Sequence, residues 1–160
     1  MNGSFRPPFP GTLDVRTFFA GRTRAWGTVI DRRGRLARRF TVDIQGEVDG
    51  DRLTLDEHFS FDDGATDRRT WTIACGGGAL TGSAGDVVGA ARGAIDGAAL
   101  SWRYDLMLPV GRRRIRVAFD DLMVLADHDT LLSRAVIRKF GLRLAEVVIA
   151  FRRTPQARSH

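Results

Sequence analysis

Leu53-Thr54-Leu55-Asp56-Glu57-His58-Phe59-Ser60-Phe61 is the stretch on which the reading of this chain turns. Leu53, Leu55, Phe59 and Phe61 fall on one side of an extended backbone, and Thr54, Asp56, His58 and Ser60 on the other. That two-residue period is the mark of a half-buried β-strand. Asp62-Asp63-Gly64 then supplies a turn. The same rhythm continues in Trp71, Ile73 and Cys75, which alternate with Thr70, Thr72 and Ala74 and stop at Gly76-Gly77-Gly78.

Working outward, the pattern repeats on both sides. Upstream, Trp26, Thr28 and Ile30 precede an Arg33-Gly34 turn, and Phe40, Val42 and Ile44 precede Asp49-Gly50. Downstream, Leu100, Trp102, Tyr104 and Leu106 share a face before Pro109 and Gly111. Ile115, Val117, Phe119 and Met123 follow, then an Asp127-His128-Asp129 turn and two last strands over about 132–140 and 143–152. Val15, Phe18 and Phe19 form an apolar patch that suits one or two helical turns between Asp14 and Ala20.

Roughly eight to ten strands at hairpin spacing make a meander in which each pairs with the next. A long meander with one apolar face leaves two sheet edges exposed unless it closes on itself. The expected fold is therefore all-β: an antiparallel up-and-down barrel of about 8–10 strands with a short N-terminal helix, wide enough to hold one small ligand. A single domain over 13–153 is expected, preceded by a flexible segment, 1–12, that contains Pro7, Pro8 and Pro10, and followed by a flexible tail, 154–160.

Composition narrows the function classes. The 160 residues are 43% hydrophobic and 28% charged, and no run approaches the roughly 18 apolar residues of a membrane-spanning helix. The net charge of +6 comes almost wholly from Arg, with Lys139 the one lysine. Because the charges are spread along the chain, codon bias is the plainer reading, and an anionic surface the alternative. Arg32-Arg33-Gly34-Arg35, with Arg38-Arg39 nearby, and Arg112-Arg113-Arg114 with Arg116 sit on two turns. If both reached one barrel end they would make a positive rim for peripheral contact with an anionic membrane. Specific nucleic-acid binding is not expected, since aromatic residues are not interleaved with these arginines. The lone Cys75 lies in an alternating apolar run and reads as a small core residue. A cytoplasmic location is expected of the chain as given.

Several strings carry a resemblance. Arg39-Phe40-Thr41-Val42-Asp43-Ile44 leads into Leu53-Thr54-Leu55-Asp56-Glu57; Trp71-Thr72-Ile73, Gly82-Ser83-Ala84-Gly85-Asp86-Val87-Val88-Gly89, Trp102-Arg103-Tyr104-Asp105-Leu106, Phe119-Asp120-Asp121 and Lys139-Phe140-Gly141 follow in order. Together they resemble the bacterial domain-of-unknown-function family 3833 over about Asp14 to Arg152. The resemblance implies a lipocalin-like (calycin-type) fold and carries no activity or site residues with it. It also implies an envelope location, because many members look like lipoproteins; this chain lacks their lipid-attachment Cys. It also has Leu122 where an aromatic is expected after the paired Asp residues.

Charges on apolar faces are the most informative positions. Glu57 shares a face with Leu55 and Phe59, and Asp121 with Phe119 and Met123. Arg92 is in register with Val88, Ala90 and Ala94, and Glu146 with Leu142, Leu144 and Val148. An ionised group turned into a barrel needs a partner or a ligand. The expected ligand-binding set is Trp26, Phe40, Glu57, Phe59, Trp71, Arg92, Trp102, Tyr104, Phe119 and Asp121, with Arg92 meeting an anionic head group. Gly82 to Gly89 lacks the Gly-Lys-Ser/Thr ending of a phosphate loop and reads as a bend that Asp86 caps through backbone amides. His58, His128 and His160 are not at metal-ligand spacing, and no nucleophile elbow occurs. No catalytic residues, metal or cofactor are expected. The leading expectation is a non-enzymatic protein that holds a small hydrophobic or amphipathic molecule, a lipid or fatty acid. The alternative is an interaction module whose interior is packed shut and whose basic rim contacts a protein or anionic surface.

Overall fold

A computed structural model describes residues 9–154, so residues 1–8 of the expected N-terminal segment, and the expected tail from 155 on with His160, lie outside the described residues. One short helix, α1 (Val15–Phe19), precedes ten strands. They are β1 (Gly21–Asp31), β2 (Leu36–Asp49), β3 (Arg52–Phe61), β4 (Thr66–Gly76), β5 (Ala79–Ser83), β6 (Val87–Asp96), β7 (Ala99–Val110), β8 (Arg113–Asp127), β9 (Thr130–Lys139) and β10 (Leu142–Arg153). Every strand is antiparallel to its sequence neighbours, and β10 returns to pair with β1, from Thr23 opposite Arg153 to Asp31 opposite Ala145. The barrel is closed, so neither edge of the meander is left open.

Hairpin connections put alternate turns at opposite ends. The β2–β3, β4–β5, β6–β7 and β8–β9 turns share one end with α1. The Asp14 carboxylate caps this helix by accepting from the backbone N–H of Arg16 and Thr17. Leu13 donates its N–H to the Gly97 carbonyl at 2.9 Å, and Arg16 reaches the Gly50 carbonyl at 3.2 Å. Val15, Phe18 and Phe19 are buried, and the Phe19 ring meets Phe151 edge-on at 5.7 Å. The helix is thus a plug: too short to be stable alone, it is held by the apolar face it pushes into the barrel.

The interior faces of β2, β3, β4, β7 and β8 follow the alternation in the sequence. Three other strands do not. In β1 the inward residues are Thr23, Ala25 and Gly27, and Trp26 is 48% exposed on the outer wall with Arg24 beside its ring. The cause is the ring of Phe40 across the ladder: a Cβ at Gly27 would stand 2.2 Å from Phe40 Cζ. Only a residue without a side chain fits there, so the bulky set faces out. In β6 the register against β7 shifts between Val88 and Arg92. Ala91 and Gly93 then face in beneath Trp102, where a Cβ at Gly93 would stand 2.6 Å from the ring. Arg92 points to solvent. In β10 a bulge between Arg143 and Ala145 reverses parity. Val147 and Phe151 are buried, while Leu142, Leu144 and Val148 are exposed, and Glu146 pairs outside the barrel with Arg134 and Arg143.

Candidate functional site

The interior is divided in two. Next to α1 lies a void of about 60 Å³ between Val15, Phe19, Leu53, Ile73 and Leu80. Above it, towards the opposite end, a cavity of about 590 Å³ is lined by residues of most of the strands. Glu57, Trp71, Trp102, Met123 and Phe151 border both and form the partition. The upper cavity reaches solvent past Ala65, Thr66, Asp67 and Pro109, which are exposed.

Eight of the ten residues expected at the site line this one cavity: Phe40, Glu57, Phe59, Trp71, Trp102, Tyr104, Phe119 and Asp121. Trp26 and Arg92 do not, for the reasons of parity just given. The aromatic wall is continuous. Tyr104 stacks on Phe119 at 5.0 Å and meets Trp71 edge-on at 5.1 Å, and Trp71 meets Trp102 at 5.6 Å. Phe59 and Phe61 stack at 6.1 Å nearer the mouth, with Phe40 tilted against both. Such rings offer large apolar area and fixed shape.

The polar groups are few. Ladder register sets Glu57 directly opposite Arg69, but the Arg69 guanidinium turns to Asp86, with Nη2 at 2.8 Å and Nε at 3.1 Å from its carboxylate. Among the described residues no cation stands at ion-pair distance from Glu57. Its side chain is walled by protein and borders the cavity and the smaller void beneath it. Burial accordingly pushes the Glu57 carboxyl up to about 7. The Arg69 charge and a hydrogen bond from the Trp71 side chain oppose the rise without cancelling it. Asp121, 6% exposed, accepts a hydrogen bond from the Ser133 hydroxyl at 2.6 Å. Burial pushes its carboxyl up to about 6 against that hydrogen bond, and Asp120 adds to the rise. Burial also raises the Tyr104 phenol, which stays protonated at neutral pH.

Two cations at the cavity were not among the expected residues. Arg69 lies over the Phe59 ring at 5.5 Å and Arg38 over Phe61 at 3.5 Å, where Nη2 of Arg38 holds Asp63 at 3.1 Å. Arg38 Nε is buried with no hydrogen-bond partner among the described residues. Both were legible: Arg69 is two residues before Trp71, and Arg38 two before Phe40, in the same alternation. Asp86 does not cap the Gly82–Gly89 bend through amides; its carboxylate is taken by Arg69. His58 sits on the outer wall beside Asp56, and His128 is on a turn at the helix end. Among the described residues no group of three or more His, Cys, Asp or Glu could hold a metal ion. Cys75 is buried and its thiol pushed up by that burial.

Comparison with known proteins adds three findings. The profile of the family described as "Protein of unknown function (DUF3833)" matches residues 9–153. A protein of unknown function from the DUF3598 family of Nostoc punctiforme superposes with a TM-score of 0.66 at 15% identity, over 95% of this chain and 53% of that one. This chain therefore spans about half the length of the Nostoc protein. The S-type phycobiliprotein lyase of Guillardia theta superposes with a TM-score of 0.66 at 11% identity, over 91% of this chain and 95% of that one. At these identities both likenesses are of fold. No curated protein matches the chain.

Proposed function

Since the chain belongs to the DUF3833 family, whose description names no activity, we propose a function from the barrel itself: it is a non-catalytic carrier that holds a small amphipathic molecule of the lipid or fatty-acid class. The observation that carries this reading is the cavity of about 590 Å³ with its unbroken aromatic wall. Its volume falls within the range of roughly 300–1,000 Å³ typical of small-molecule sites. An interior packed shut, as an interaction module would have, is hard to reconcile with so large a space.

The polar groups suggest how such a guest is oriented. An apolar tail lies against Tyr104, Phe119 and Trp71 and ends on the partition at Phe151. An anionic head stays near the mouth, where Arg38 offers its unused Nε donor and Arg69 stands close by. The raised carboxyls of Glu57 and Asp121 are partly protonated near neutral pH and so do not repel it as two full charges would. Among the described residues the Ser133 hydroxyl donates to Asp121 and no histidine lines the cavity, which supports a holding role for these polar groups.

Titration with the fluorescent fatty acid cis-parinaric acid tests the reading. Saturable binding is expected, weakened by at least about tenfold, or 1.4 kcal/mol, in Leu108→Trp, which adds bulk at a half-buried lining position. Val148→Trp adds the same bulk outside and should bind as the parent does. Absence of saturable binding to the parent, or equal binding by both variants, would reject the cavity as the site.

A further inference from the structure

We propose that the open end of the barrel docks on anionic phospholipid bilayers, with Phe140 seated at the headgroup boundary and the arginines of three neighbouring hairpin tips on the lipid phosphates. The proposal goes beyond the cavity reading and stands without it.

The first observation is an arrangement of charge. Around the barrel the strand order runs β2-β1-β10-β9-β8-β7, so the β1–β2, β9–β10 and β7–β8 tips are consecutive at the open end. They bring together Arg32, Arg33, Arg35, Arg112, Arg113, Arg114 and Lys139. Among the described residues, none of these seven has a carboxylate at ion-pair distance. The acidic residue beside them, Asp31, is engaged with the backbone N–H groups of Arg33 and Arg35. The remaining tips of this end are balanced: Arg38 pairs with Asp63, Arg39 with Asp62 and Arg69 with Asp86. Among the tips of this end, positive charge without an ion-pair partner is therefore confined to one arc of the rim.

The second observation is independent. Leu36, Val110, Phe140 and Leu142 are exposed on the same three tips. Phe140 is 91% exposed and has φ +52°, the one non-glycine with positive φ among the described residues. With Gly141 at φ +75° it forms the two-residue turn between Lys139 and Leu142. A turn with both central φ values positive favours Asn-Gly, and a bulky residue there is strained. An exposed ring gains no core packing in return. A position that opposes folding and still carries a ring points to a contact outside the chain.

Cations around an exposed ring and aliphatic tips match one partner chemistry. At a bilayer surface, rings settle at headgroup level, aliphatic side chains reach the acyl boundary, and Lys or Arg side chains bind anionic headgroups. Lys139 Nζ, 4.6 Å from the Phe140 ring centre, has that combination within one turn. A nucleic acid would use the phosphate-binding charge but has nothing to gain from Leu36, Val110 and Leu142. Docked in this way, the barrel turns its cavity mouth towards the lipid.

Flotation with vesicles of phosphatidylcholine alone, or mixed with phosphatidylglycerol, reads the proposal. Binding is expected to the mixed vesicles only and should weaken as salt rises. Phe140→Asn suits the backbone better, so its melting temperature should equal or exceed the parent's while vesicle partition falls by about fivefold. R112Q/R113Q/R114Q should lower partition by at least about tenfold. Leu108→Trp should lose cis-parinaric acid and still float, which separates failure of docking from failure of the cavity. Equal binding to neutral vesicles, undiminished flotation of both rim variants, or capture by single-stranded DNA with no binding to anionic vesicles would overturn the proposal.

Discussion

The two ends of this barrel are built for different work. At the helix end Leu13, Leu53 and Leu131 are almost wholly buried, α1 closes the opening, and the void left is about 60 Å³. At the other end rings stand apart around about 590 Å³, carboxyls face inward, and the rim is charged. The contrast teaches that the packing which stabilises the fold is concentrated below the partition at Trp71, Trp102 and Phe151. The upper half can then remain hollow, because the strands that wall it are anchored beneath.

The largest test of this contrast is a matched truncation. Phe19→Ala removes the ring that seals the helix end and should cost about 3–5 kcal/mol. Phe59→Ala removes a half-buried ring that already faces open space, and should cost roughly 1–2 kcal/mol. Denaturant unfolding of the pair measures both, and equal losses would mean that the ends are packed alike.

A smaller effect sharpens the polar side of the comparison. The Glu57 carboxyl, at about 7 in the folded protein against an ordinary 4.5, binds its proton more tightly when folded. Its contribution to stability is therefore complete below pH 4.5 and is lost as pH rises through 7. Glu57→Gln should raise unfolding free energy by roughly 2–3 kcal/mol at pH 8 and leave it unchanged at pH 4. A difference between parent and variant that stays flat across that range would show that Glu57 ionises as it would in water. The smallest effect belongs to the outer wall. Arg68 holds Asp56 at 2.8 Å but in solvent, so Arg68→Ala should leave the unfolding midpoint unmoved.

Much of the frame was legible because burial and period two coincide on the central strands. Leu53 to Phe61 and Leu100 to Leu106 each face one way along their length, and the helix end was visible in Val15, Phe18 and Phe19. Closure followed from the number of hairpins and the need to cover two edges. What the pattern could not carry was the face of strands whose inward residues are small. Ala25, Gly27, Ala91 and Gly93 carry no strong hydrophobic signal, yet they are inward, Gly27 beneath the Phe40 ring and Gly93 beneath that of Trp102. Period two alone therefore turns Trp26 inward, and Arg92 too, whereas the register shift in β6 sends Arg92 to solvent. Glu146 failed differently: one added residue in β10 reversed the parity after Arg143. Arg38 and Arg69 needed no new rule, only the alternation carried two residues further back. That Arg69 would choose Asp86 over Glu57, its partner across the ladder, depends on a β5–β6 bend that no periodicity specifies.

Closure of β1 against β10 has a further consequence. The first and last strands leave the wall side by side, with Thr154 N–H bonded to the Arg22 carbonyl at 2.9 Å. Strand order is therefore cyclic, and a circular permutant with a linker from Thr154 to the segment before α1, opened instead at the exposed Gly64 turn, keeps every neighbour it had. In the natural order the β1–β10 seam joins residues more than a hundred positions apart and carries the largest loop-closure cost of the ladders. Permutation would make that seam a shorter-range pairing across the linker and α1, and pass the long-range closure to β3 and β4.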